Sequence, residues 1–152
     1  MVTFASNQRT YLFWNTMMLR LGGIINILIA IGHIVGLFWA DKMFEVTGIG
    51  KEMTELSTTH FSLPYLLTVF VAIVFFIFGL YGLSADNKFR KLPFLKPVVF
   101  IIASIYIFRG LGELFFDTIQ NTNSFTETAY SLCALTIGLL FLIGGQRKWK
   151  KE

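Results

Sequence analysis

Residues 95–116 read LKPVVFIIASIYIFRGLGELFF, and after Lys96 the stretch meets no charge until Arg109 and Glu113. At 1.5 Å of rise per residue, about 20 residues cross a ~30 Å hydrocarbon core, so this segment reads as membrane-spanning. Three other blocks share its length and character: 21–40 (LGGIINILIAIGHIVGLFWA), 63–84 (LPYLLTVFVAIVFFIFGLYGLS) and 128–145 (TAYSLCALTIGLLFLIGG). Across its 152 residues the chain is 55% hydrophobic and 14% charged. A soluble domain sits nearer 45–50% apolar and about a quarter charged. The expected fold is all-α: a single integral membrane domain over 1–152, built as a bundle of four transmembrane helices. No connection between the blocks is long enough to fold as a soluble domain.

The first block exceeds the 7–15-residue core of a signal peptide and no A-x-A-like site follows it, so it is expected to be retained. Ahead of it, residues 1–20 mix Phe4, Tyr11, Phe13 and Trp14 with Arg9 and Arg20. That mixture suits an interfacial segment.

Lysine and arginine set the expected orientation. One side collects Arg9, Arg20, Lys88, Arg90, Lys91, Lys96, Arg147, Lys148, Lys150 and Lys151; the other has Lys42 and Lys51 with Asp41, Glu45, Glu52, Glu55, Asp117 and Glu127. Both termini are thus expected to be cytoplasmic, in a bacterial inner membrane. The net charge of +4 follows from this topology and from attraction to anionic lipid, not from nucleic-acid binding. The lone Cys133 excludes an intrachain disulfide and any cysteine-based metal site within one chain.

The 41–62 connection is an outer loop, punctuated by Gly48 and Gly50. Residues 51–61 suit a short amphipathic helix with Met53, Leu56 and His60 on one side, either a cap or a lid.

In lipid, small and polar residues turn toward neighbouring helices. The expected interior stripes are Gly22, Asn26, Ala30, His33, Gly36 and Ala40; Thr68, Ala72, Gly79 and Gly82; Tyr106, Arg109, Gly112, Glu113 and Asp117; and Ala129, Cys133, Thr136 and Gly144. By helical rise His33 lies about 18 Å and Arg109 about 21 Å from the cytoplasmic end, with Thr68 and Thr136 at a similar level. A polar pocket in the outer half of the bilayer is therefore expected, centred on His33, Arg109 and Glu113. Tyr106, Asn26, Thr68 and Thr136 stand behind them.

Three functions suit such a pocket. It binds or transports a small anionic, lipid-like or quinone-like molecule clamped by Arg109, whose guanidinium offers planar paired donors. Alternatively, a membrane-embedded enzyme uses His33 as base with Glu113 as partner. In the third, the buried charges only fix helix register in an accessory subunit of a membrane complex or in a homo-oligomer. No H-E-x-x-H, G-x-S-x-G or P-loop lysine specifies a reaction. No metal site or resident cofactor is expected; a haem held by His33 and His60, with Arg109 on a propionate, is conceivable.

The segments HIVGLFW (33–39), RGLGE (109–113) and FTETAYSLC (125–133) resemble small four-helix bacterial membrane proteins. These are an uncharacterised group with a histidine and an R-x-x-G-[DE] signature and, more distantly, the DoxX-like proteins. The resemblance covers the polar parts of three helices. It implies a four-helix fold, singles out His33, Arg109, Gly112 and Glu113, and supplies no activity. DoxX-like proteins are associated with quinol- or thiosulfate-oxidising complexes.

Overall fold

The computed structural model of the chain describes residues 2–85, 90, 92–120 and 125–150. The side chains of 2–16, 117 and 120 fall outside that description. Outside it too, therefore, are the N-terminal aromatic residues, Asp117, and Lys88, Lys91 and Lys151. Among the described residues the chain is helical, with no strand. The elements are α1 (Val2–Gly36), a 3-10 turn (Leu37–Trp39), α2 (Ala40–Val46), α3 (Gly50–Thr59), α4 (Leu63–Ser84), α5 (Leu95–Gln120) and α6 (Phe125–Trp149). Among the described residues four stretches are long and apolar enough to cross a membrane: Met17–Val46, Leu63–Ser84, Leu95–Phe116 and Phe125–Trp149.

The second span coincides with the expected 63–84, and α5 and α6 run beyond 95–116 and 128–145. The first α-helix differs more. It is unbroken from Val2 and yields to the 3-10 turn after Gly36, short of residue 40. The connection after it is mostly helix. Gly48 adopts a left-handed φ of 79°. Its N–H donates to the Glu45 carbonyl at 3.1 Å and that of Ile49 to Phe44 at 3.0 Å. This glycine-centred pair of bonds stops α2 and starts α3. His60 is not on a helix face with Met53 and Leu56, as expected; it is the extended C-cap of α3. Its Nδ1 meets Ser62 Oγ at 2.8 Å.

The chain forms two compact units, Met1–Ile25 with Gly79–Glu152, and Asn26–Phe78. In the first, glycines decide where helices meet. A Cβ on Gly82 would stand 2.6 Å from Gly23 Cα, and one on Gly23 2.8 Å from the Gly79 carbonyl oxygen, so α1 and α4 touch backbone to backbone. Gly22 faces the Phe141 ring and Gly144 faces Leu19, joining α1 to α6 in antiparallel register. Gly138 faces Ile107 and Tyr106, Gly110 faces Ser131 and Leu135, and Gly145 faces Val99, joining α6 to α5 the same way. Leu19, Val99, Ile102 and Phe141 form the fully buried centre.

The corner between α4 and α5 is tied locally. Ser84 Oγ donates to the Arg90 carbonyl at 2.7 Å and accepts from Leu92 N–H at 3.0 Å. Tyr81 Oη donates to the Pro93 carbonyl at 3.2 Å. Phe94 sits at φ 52°, a left-handed geometry that costs roughly 1–2 kcal/mol for a residue with a Cβ. Lys148 at the end of α6 donates to the carbonyl of Ala85. Within this unit the basic end of α6 therefore lies against the end of α4.

In the second unit the His33 ring stands 5.2 Å from that of Phe75, and Asn26, Ala30, Thr68 and Ala72 are buried. The stripes expected on α1 and α4 thus hold through Gly22, Asn26 and Ala30 and through Thr68, Ala72, Gly79 and Gly82, with His33 and Gly36 half-buried; Ala40 is buried too, but at the start of α2. Those on α5 and α6 are displaced. On α5 the buried line is Val99, Ile102, Ala103, Tyr106 and Gly110, leaving Arg109 and Gly112 exposed. On α6 it is Ser131, Ala134, Ile137, Gly138, Phe141 and Gly144, leaving Cys133 and Thr136 exposed.

The same substitution separates contact glycines from idle ones. Gly82→Ala places its methyl against Gly23 backbone, and overpacking of this kind costs about 1–3 kcal/mol. Nothing lies within 4 Å of a Cβ on Gly32, so Gly32→Ala is expected to leave stability equal or higher. Thermal unfolding of both variants in detergent measures the difference.

Candidate functional site

Charge within the third span resolves into one cluster in the first unit. Glu113 lies one turn beyond Arg109 on α5, and Arg109 Nη2 approaches Glu113 Oε1 at 3.4 Å. The second carboxylate oxygen, Oε2, accepts a hydrogen bond from Ser131 Oγ on α6 at 2.8 Å. Gly110 makes that crossing possible, because a Cβ there would lie 2.8 Å from the Ser131 carbonyl oxygen. Ser131 is fully buried, while the Glu113 side chain is 27% and the Arg109 side chain 60% exposed. The gradient runs from a fixed hydroxyl, through a shared carboxylate, to a guanidinium standing out from the helix pair.

The two contacts of Glu113 are unequal. A charge-assisted bond at 2.8 Å is close to optimal, whereas 3.4 Å is long for an arginine–carboxylate pair. Arginine preceding glutamate at i,i+4 is also the poorer order on a helix. Glu113 therefore serves α6 first and Arg109 second. Among the described residues the guanidinium has no other hydrogen-bond or ion-pair partner. Most of its five donors remain available to an acceptor outside the chain.

The remaining sequence candidates fall into two groups. Tyr106, one turn before Gly110, is buried beside Gly138. Thr136 is exposed, and its hydroxyl bonds the Leu132 carbonyl of its own helix at 2.8 Å. A threonine satisfied in this way gains nothing from facing a neighbour, so its place in an interior stripe is corrected. The second unit holds His33, Asn26 and Thr68. Asn26 is fully buried, and Thr68 bonds the Pro64 carbonyl at 2.8 Å. His33 Nδ1 lies 2.8 Å from the Ile29 carbonyl. A carbonyl only accepts, so Nδ1 carries the hydrogen of this contact, and Nε2 is the ring nitrogen left to meet another partner.

One feature of the second unit escapes sequence reading. A cleft of about 530 Å³ is lined by Asp41, Phe44, Glu45, Met53, Phe61 and Tyr65, among others. Its walls are α2, α3 and the start of α4. The only signal for it was the length of the 41–62 connection. Among the described residues no three His, Cys, Asp or Glu side chains gather as a metal site.

No protein-family model, curated protein or solved structure matches the chain. The geometry alone carries the functional reading.

A double-mutant cycle tests the Ser131–Glu113 tie. Interhelical polar pairs in membrane proteins couple by about 0.6 kcal/mol on average, up to about 1.7. Ser131→Ala with Glu113→Leu is expected at the upper end, because Ser131 is buried. Thr136→Ala with Glu113→Leu is expected to add without coupling. Unfolding free energies in detergent give both values.

Proposed function

We propose that the chain is an integral membrane protein of the bacterial cytoplasmic membrane, its four apolar helices bundled and both termini cytoplasmic. We propose further that Arg109 binds a small anionic, lipid-like or quinone-like molecule, held in place or passed across. The observation that carries this reading is the incomplete pairing of Arg109. Its side chain is 60% exposed and meets Glu113 at 3.4 Å, within a span otherwise apolar after Lys96. A charge near the centre of a bilayer costs about 2.5–3.5 kcal/mol on insertion scales. An acceptor of either kind, a carboxylate or a quinone carbonyl, would satisfy the unused donors and offset part of that cost. Tyr106, one turn away on α5, belongs to the same neighbourhood. His33 is a separate candidate through its Nε2.

A second reading has its own support. The 2.8 Å bond from Ser131 to Glu113 joins α5 to α6, and a charged pair serving only helix register suits an accessory subunit or homo-oligomer. Binding experiments divide the two. A long-chain fatty carboxylate and a short-chain benzoquinone are the probes, added to purified protein in detergent. Arg109→Leu is expected to weaken binding of at least one by tenfold or more while the protein still inserts. A variant with unchanged binding and lowered stability supports the register role instead.

Topology is tested by labelling in a Cys133→Ser background. Glu52→Cys is expected to react with a membrane-impermeant maleimide on intact spheroplasts. Lys150→Cys is expected to react only after permeabilisation.

A further inference from the structure

The start of α5 and the end of α6 enclose a second, smaller groove. Its volume is about 280 Å³, and it is lined by Lys96, Phe100, Gln146, Trp149 and Lys150. Two lysines, one amide and two aromatic rings face it, and among the described residues no acidic one does. The aromatic wall is built by contacts within the first unit. The Phe100 and Trp149 rings stand 6.0 Å apart at 50°. Gly145 lets Phe100 lie against α6, since a Cβ there would come within 3.4 Å of two ring atoms.

The neighbouring lysine is already occupied. Lys148 donates to the Ala85 carbonyl and lies 5.4 Å from the centre of its own neighbour Trp149. Lys96 and Lys150, by contrast, have no hydrogen-bond or ion-pair partner among the described residues. The groove also has a definite level. One apolar stretch begins at Leu95 and another ends at Trp149. In a chain spanning the membrane both boundaries fall where headgroups meet hydrocarbon, the depth that tryptophan favours.

We infer that this groove binds the headgroup of an anionic phospholipid. Lys96 and Lys150 take the phosphate, Gln146 donates to its ester or glycerol oxygens, and Phe100 and Trp149 carry the first carbons of the acyl chains. A free phosphate ion would match the lysines but leave the aromatic wall without a partner. The inference rests on the membrane-spanning reading and is independent of the Arg109 site.

The test uses the full chain in detergent, with bound lipid measured by native mass spectrometry against phosphatidylglycerol or phosphatidylcholine. A lysine near an anionic lipid surface contributes roughly fivefold in affinity. Lys96→Gln with Lys150→Gln is expected to reduce phosphatidylglycerol binding at least tenfold and phosphatidylcholine binding little. Lys96→Arg with Lys150→Arg retains it. Arg147→Gln removes a nearby charge outside the groove and is expected to change binding less than twofold; an equal loss there means diffuse attraction and overturns the proposal. Displacement of the lipid by inorganic phosphate overturns it as well. So does a comparable loss in Arg109→Leu, which would move the lipid to that residue. Equal binding of both lipids by a protein with the expected labelling topology defeats the groove alone. Failure of the labelling topology defeats the membrane reading beneath it.

Discussion

The four spanning-length helices of this chain are apolar on nearly every side, so burial of hydrophobic area does not choose which face of each packs. In a bilayer the difficulty is sharper, because acyl chains are as apolar as leucine. What distinguishes one face from another is how near two backbones can come. Gly82 against Gly23, and Gly138 against Ile107 and Tyr106, are the places where a side chain has been left out. Large residues such as Leu28, Phe70 and Phe108 lie on the surface instead. The first unit is organised by absences of side chain as much as by contacts between side chains.

Polar groups then divide by whether they need a neighbour. The hydroxyls of Thr68, Ser104, Thr118 and Thr136 all return to the carbonyl four residues back. They are satisfied by their own helix and carry no information about which way it faces. Ser84, Ser131, Glu113 and Lys148 bond beyond their own helix. These have a tertiary consequence, as does Tyr81, whose hydroxyl reaches the Pro93 carbonyl beyond α4. Arg109 belongs fully to neither class, and the proposed ligand follows from that position.

This division explains what was legible in the sequence. The four apolar blocks were plain, because span length follows from membrane thickness and residue type. On α1 and α4 the buried lines were readable because glycine, alanine and Asn26 fall on one face. On α5 the charges of Arg109 and Glu113 drew the stripe a residue away from Gly110, the position where the helices approach. On α6, Cys133 and Thr136 look like interior markers by polarity, whereas Ser131 and Gly138 mark the contact. Charge and polarity signal cost, whereas the contact itself is signalled by small size. The Glu113–Ser131 bond was illegible for a different reason: its partners are 18 residues apart, in helices whose register no local pattern specifies. The two helices within 41–62 were half visible, through the amphipathic run and Gly48.

The corner at Ser84 bears on the order in which the chain assembles. Its three bonds join residues only 6, 8 and 12 positions apart, so closing them costs little chain entropy. The strained Phe94 lies just beyond them. The bond from Lys148 to Ala85 spans 63 positions and has to wait for the last helix. During synthesis the corner between α4 and α5 can therefore close while α6 is still in the ribosome. The final helix docks onto a surface whose glycines already define its seat.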